Sequence, residues 1–238
     1  MLKDYLKFTD DFNAKLAQLK FSAPVTHVYN PLEYAKDGWL AYCEKYGEPP
    51  KRAMLVGMNP GPWGMAQTGV PFGAVKEVTG WLGIHTDIGK PPAEHPKRPV
   101  EGFACTRNEV SGTRVWGWAE QKFGTAENFF KSFFVANYCP LIFYAEDAKN
   151  ITPDKIKPSE RGPLLEICDE SLRWLALIIK PQFVIGVGKF AAERAKLALK
   201  DMDIATFSIM HPSPANPKAN KGWAQIIDRE MEEQGLNV

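Results

Sequence analysis

Apolar residues recur along this chain in two rhythms. Near the start, Leu6, Phe12, Leu16 and Leu19 stand among charged positions at helical spacing, and a second helix is predicted over residues 31–46, ended by Glu48, Pro49 and Pro50. The pattern then changes. AMLVG at residues 53–57 is a short continuous apolar run, the mark of a strand buried on both faces, and it opens into a loop dense in turn formers, MNPGPWGMAQTGVPFG. Helical spacing returns at Val75, Val78 and Leu82, a Pro/Gly-rich connection expected at the surface fills residues 83–99, and another helix is predicted over residues 115–123. FFVAN at residues 133–137 reads as a second buried strand. Beyond it, Leu164, Cys168, Leu172, Leu175 and Ile179 mark an amphipathic helix, residues 183–187 a strand, residues 190–199 a helix and residues 205–210 a last strand. Strands alternating with helices predict an α/β fold: a parallel sheet covered on both faces, with ligands held at the carboxyl ends of its strands.

Length and composition narrow the class. With 45% hydrophobic content, 238 residues can bury a full core, so residues 1–238 read as one domain, with residues 1–50 as its helical N-terminal part. No run reaches the roughly 18 apolar residues of a membrane span, and the charged start MLKDYLKFTDDFNAKL lacks a signal-peptide core, which points to a soluble intracellular protein. Cys43, Cys105, Cys139 and Cys168 lie far apart without C-x-x-C spacing, so neither a zinc site nor a disulfide framework is expected. A net charge of +1 decides nothing about nucleic acid. Its distribution says more: no carboxylate occurs between Glu48 and Glu77 or between Asp203 and Asp228, while Lys51, Arg52, Lys76, Lys218 and Lys221 fall inside those gaps. A polyanion would meet no local repulsion there, although strands and Gly/Pro loops carry few acids in any case.

Three polar clusters follow predicted strands and so converge on one edge of the sheet: Asn59 in GMNPG, Asn137 in ANYCP and His211 in HPSPANPKANKGW. Each has a plainer reading, since Asn before Pro is a common turn former and a solitary His is often structural.

The text around these clusters resembles the single-strand-selective monofunctional uracil-DNA glycosylase family, within the uracil-DNA glycosylase superfamily. Residues 57–62, GMNPGP, continuing through GMAQTGVPFG, resemble its first motif, and residues 211–223 its second. Similar text recurs between them as WLGI at Trp81, EHPKRPV at Glu94, EVSG at Glu109, NYCPL at Asn137 and VIGVG at Val184, so the resemblance spans residues 53–236. It implies a three-layer α/β/α fold around a four-stranded, mainly parallel sheet. It also implies an enzyme that extrudes uracil from single- or double-stranded DNA and hydrolyses the N-glycosidic bond, leaving an abasic site, as a monomer without metal or cofactor.

Site residues follow from the same resemblance. Phe72 is expected to stack on the base, and Asn137 to donate to uracil O4 and accept from N3–H, a pattern that cytosine reverses. Asn59 matches the residue that positions the attacking water; with no Asp or Glu there, the expected reaction is dissociative, the glycosidic bond being largely broken before water attacks. His211 matches the histidine that donates to O2 as negative charge gathers on the leaving base, its own charge state being open in the sequence. Met58, Gly61 and Met65 shape the pocket with room for a C5 substituent, which brings in 5-hydroxymethyluracil. Ser213, Pro214, Ala215, Asn216, Lys218, Asn220 and Lys221 form the DNA-contacting loop, with Gly188 and Lys189 as a further phosphate contact. Two departures stand out: Ala215 occupies a wedge position where relatives carry Arg, and Trp63 replaces a Phe.

Other readings remain. Gly186 to Ala191 fit G-x-G-x-x-A between a strand and a helix, as in dinucleotide-binding domains, but late in the chain and without a second βαβ half, so tight strand-to-helix packing is the better account. A second alternative is a module that recognises damaged DNA without cleaving it, and substitution of Asn59 or His211 separates the two. The superfamily's iron–sulfur branch needs clustered cysteines, which this spacing lacks.

Overall fold

The continuous apolar runs become the centre of one sheet. A computed structural model describes residues 1–237, and among them are seven strands: β1 (His27–Tyr29), β2 (Ala53–Gly57), β3 (Phe133–Asn137), β4 (Ile142–Tyr144), β5 (Asn150–Ile151), β6 (Phe183–Val187) and β7 (Ala205–Ile209). The four longest pair in the order β3-β2-β6-β7, and every pair is parallel. β2 is buried along its whole length, as a central strand without alternation should be.

Side chains alternate across the sheet, and β3 shows what each face meets. Phe133 packs on Trp118, Phe123 and Phe129, whereas Phe134 packs on Tyr5, Trp39 and Tyr42. Helices Val110–Phe123 and Ala126–Phe130 therefore cover one face, and helices Leu2–Leu16 and Lys36–Tyr46 the other. Both phenylalanines are fully buried, and each contributes about 1.5–3 kcal/mol of hydrophobic stabilisation. The long helix Pro158–Ile179 lies beside Leu2–Leu16. This is the expected three-layer α/β/α arrangement, with the sheet wholly rather than mainly parallel. Gly186 has the packing role its motif suggests: a methyl group there would lie 2.1 Å from the Ala192 backbone nitrogen, so helix Lys189–Ala198 rests directly on β6.

Several elements differ from the sequence reading. The helix expected over residues 31–46 is two, Pro31–Tyr34 and Lys36–Tyr46, broken at Ala35. The turn at Gly69 (φ +73°) docks into that break, so close that a methyl on Gly69 would meet Ala35 O at 2.3 Å and one on Gly38 would meet Thr68 O at 2.0 Å. A small antiparallel sheet, β1-β4-β5, was not expected. Helices predicted to begin at residues 115 and 164 begin at Val110 and Pro158. Lys51 is no surface cation: it is 5% exposed, donates to Phe130 O, and burial lowers its pKa. Arg52 donates to Asn237 O at 2.8 Å, and both residues precede β2, at the end of the strand away from Gly57.

Candidate active site

Strand register sets the frame. Gly57 pairs with Asn137 where β2 and β3 end, and Val187 pairs with Ile209 where β6 and β7 end. Pairing continues past the first two strands, with Tyr138 N–H donating to Gly57 O (2.8 Å) and Cys139 N–H to Met58 O (2.9 Å). The loops carrying Asn59, Phe72 and Asn137 thus start from one rigid edge.

Over Gly57 the Phe72 ring and the Asn137 amide meet. A methyl group on Gly57 would lie 2.6 Å from Asn137 Oδ1 and 2.7 Å from the Phe72 ring, so only hydrogen leaves both side chains room. Phe72 is held in the left-handed region, φ +54°, which costs a non-glycine residue about 1–2 kcal/mol. Its carbonyl accepts from Trp116 Nε1 (3.0 Å) and Ala74 N–H (2.8 Å).

Both asparagines are oriented by acceptors that cannot donate. Asn137 Nδ2 donates to Met65 Sδ at 3.2 Å; a thioether has no hydrogen to give, so the NH2 faces sulfur and Oδ1 is turned to the Gly57 side. This fixes the amide that the sequence alone leaves free to rotate. Asn59 Nδ2 donates to Leu141 O at 3.2 Å, and its Oδ1 accepts no hydrogen bond from the protein among the described residues.

His211 stands two residues past β7, its ring against Gly188 (φ +95°), where a methyl would lie 3.4 Å from the imidazole. Ser213 N–H donates to His211 Nδ1 at 3.0 Å, so the ring proton belongs on Nε2. Burial lowers the histidine pKa, favouring the same neutral state. The peptide before it is clamped from both sides: Glu230 Oε2 accepts from Met210 N–H, and Trp223 Nε1 donates to Met210 O, each at 2.7 Å.

The rest of the loop is tied mainly to itself. Ala215 N–H donates to Ser213 Oγ, Lys218 N–H to Asn216 Oδ1, and Asn220 Nδ2 to Pro214 O. Pro214, Ala215, Lys218, Asn220 and Lys221 are exposed, as is Lys189 at the start of its helix. Met65 touches Asn137, whereas Met58 joins the site through its backbone.

Four supporting residues, all on or beside helix Val110–Phe123, had no role assigned from the sequence, although Glu109 and Gly112 bound the EVSG text. Gly112 lets the helix approach Phe72, since a methyl there would lie 2.1 Å from Phe72 O. Trp116, one turn on, donates to that carbonyl. Glu109, just before the helix, lies against the first-motif glycines: a methyl on Gly61 would be 2.2 Å from its Oε2, and one on Gly64 would be 2.9 Å from its Cγ. Burial pushes the Glu109 carboxyl above the usual range, opposed by the Trp63 and Ser111 backbone amides. Arg114 reaches the His211 loop. The signal that was present is the i, i+4 pairing of Gly112 with Trp116 on one helix face. Trp63 itself is flanked by the guanidinium groups of Arg107 and Arg98, 4.5 and 5.2 Å from the ring.

Residues 44–230 match the family model described as the uracil DNA glycosylase superfamily. Curated relatives include the single-strand selective monofunctional uracil-DNA glycosylases of Rattus norvegicus and Bos taurus, each 44% identical over 226 residues; the matches cover 94% of this chain and 81% and 83% of those proteins. Among solved structures, that of wild-type Pedobacter heparinus SMUG2 superposes with a TM-score of 0.65 over 96% of this chain and 97% of its own, at 19% identity, a likeness of fold. A match over most of the chain, joined to motifs that the structure gathers at one sheet edge, makes this protein a member of the single-strand-selective monofunctional uracil-DNA glycosylase family within the uracil-DNA glycosylase superfamily.

Proposed function

We propose that the protein removes uracil, and 5-hydroxymethyluracil, from single- and double-stranded DNA by hydrolysing the N-glycosidic bond of a flipped-out nucleotide, acting inside the cell as a monomer without metal or cofactor. The observation that carries this reading is the meeting of Asn137 Oδ1 and the Phe72 ring over the Cα of Gly57. A flipped pyrimidine needs a flat platform and an edge reader, and unstacking it costs a few kcal/mol that the pocket must offset. Stacking on Phe72 supplies about 1–3 kcal/mol. With its NH2 at Met65, Asn137 offers an oxygen to the pocket. Uracil N3–H satisfies that oxygen; cytosine N3, a bare acceptor, opposes it.

Chemistry follows from two fixed groups. The C1′–N1 bond breaks with its electron pair passing to the base, and charge gathers at O2. Neutral His211, its proton on Nε2, donates a hydrogen bond there, an oriented donor of the kind worth about 10²–10³ in rate. Asn59 Oδ1 holds the water that adds to the cationic C1′, and the water's surplus proton leaves to solvent or the departing base. No strong base is required, because the sugar is already electron-poor when water arrives. Gly61, kept small against the Glu109 carboxylate, and Met65, against Asn137, are the residues assigned to the C5 side of the base.

Lys218, Lys221 and Lys189 face the phosphates, and Gly188 sets the helix start beside them. Ser213, Pro214, Ala215, Asn216 and Asn220 shape the tip that meets the gap left by the flipped nucleotide. Ala215 fills little of that gap, which favours single strands and labile pairs. Chromatography of bases released from oligonucleotides carrying uracil, 5-hydroxymethyluracil or cytosine, single- and double-stranded, tests the assignment. Free uracil and 5-hydroxymethyluracil, and no cytosine, are expected; release of none, or of cytosine alike, contradicts it.

A further inference from the structure

Past Met210, residues 211–221 make hydrogen bonds within their own loop, and among the described residues only Arg114 hydrogen-bonds them to another element, while the His211 ring and Ala219 are held by packing. Its guanidinium donates through Nη1 to Pro212 O at 2.8 Å and through Nη2 to Asn220 Oδ1 at 2.7 Å. Those acceptors stand at the two ends of the loop. Asn220 passes the restraint inward, its Nδ2 donating to Pro214 O at 3.0 Å. One planar fork therefore sets the span of the loop that carries His211 and meets DNA. The same helix supports Phe72 through Gly112 and Trp116, so platform and histidine are referenced to one rigid rod.

We propose that Arg114 is a positioning residue: it holds the His211 loop at the spacing from Phe72 that puts the imidazole N–H on the departing base, and it does so through neutral acceptors rather than by binding a phosphate. This rests on the catalytic reading of His211. Holding a reacting group within about an ångström matters, since displacement on that scale can cost roughly a hundredfold in rate. Lysine is no substitute, because an ammonium is a point donor and cannot span both acceptors as the fork does.

The test measures single-turnover uracil release at saturating enzyme, the salt dependence of DNA binding, and thermal stability for Arg114→Met, Arg114→Lys, Arg114→Ala and Asn220→Ala. Arg114→Met should slow release by about ten- to a hundredfold. Arg114→Lys should fall between it and wild type, and ethylguanidinium should restore much of the Arg114→Ala rate at unchanged melting temperature. Asn220→Ala removes one tether without touching the helix; it should cost less, and its effect should not add to that of Arg114→Met. The slope of log affinity against log salt should match wild type, whereas Lys218→Ala should lower it by about one. An unchanged rate in Arg114→Met overturns the proposal, as does a slope lowered by about one, which makes Arg114 a phosphate ligand. A rate loss that only tracks unfolding and resists ethylguanidinium makes it structural and overturns the proposal too. A binding module without turnover shows no release in wild type, and so fails visibly at the reading of His211 instead.

Discussion

Phe72 combines a strained backbone with the ring proposed to stack on the base, and two substitutions separate them. Phe72→Ala removes the ring but leaves a Cβ at φ +54°; Phe72→Gly removes both. The left-handed conformation costs a residue with a Cβ about 1–2 kcal/mol. Glycine's greater freedom in the unfolded chain offsets about 0.5–1 kcal/mol of the relief. The glycine variant should therefore be the more stable of the pair by up to about 1.5 kcal/mol, about 0.75 at the middle of both ranges. For a chain of this size the middle value is roughly 1.5–3 °C in melting temperature. Both variants lose the same stacking, worth about 1–3 kcal/mol, so kcat/KM on uracil-containing single strands should fall about 5- to 150-fold in each. Differential scanning calorimetry and steady-state base release read the two effects independently. A glycine variant that melts below the alanine one would refute the strain, since the backbone would then carry none. Uracil excision at the wild-type rate by either variant would refute the stacking.

Two further expectations test the polar groups. Asn137→Asp removes the donor that faces Met65 Sδ and sets a negative charge beside a base that is itself gaining one, so uracil release should drop about a hundredfold with melting nearly unchanged; full activity would show that the amide does not read the base. For His211, burial lowers the pKa, so the neutral form that Ser213 N–H stabilises persists below the ordinary histidine range. Single-turnover rate should stay level through neutral pH and decline only as acid protonates Nδ1, and a rate that climbs on acidification would mean that the cation is the working form. Stability shifts the same way: the unfolded chain binds the proton more readily, so the folded state loses ground as pH falls from the ordinary histidine range through the lowered value.

The parallel sheet was legible because β2, β3 and β6 are unbroken apolar runs bounded by turn formers, and the motif residues were placed at its edge by that alone. β1, β4 and β5 were not, because two or three residues are too few to show a period, and HVY or IFY looks like any apolar stretch. Asn59, Asn137 and His211 announced themselves by following strands. Their orientation did not, since it depends on Leu141 O, Met65 Sδ and Ser213 N–H, contacts fixed only by tertiary packing. Gly112 lay in the EVSG text and one turn before Trp116, but neither told that it lies under the Phe72 carbonyl, and nothing local to Arg114 tells that it reaches a loop 98 residues away. Lys51 misled for the converse reason: a lysine in an acid-free segment looks free for a polyanion until burial shows it spent on Phe130 O.

The most direct test of the account uses a labelled oligonucleotide with one uracil, incubated with wild type, Asn59→Ala and His211→Ala, each split into aliquots with and without hot alkali. Strand scission only after alkali, strong in wild type and reduced at least about a hundredfold in both variants, is the predicted result: an abasic site made by hydrolysis through the two oriented groups. Scission without alkali, or equal scission by the variants, would contradict it.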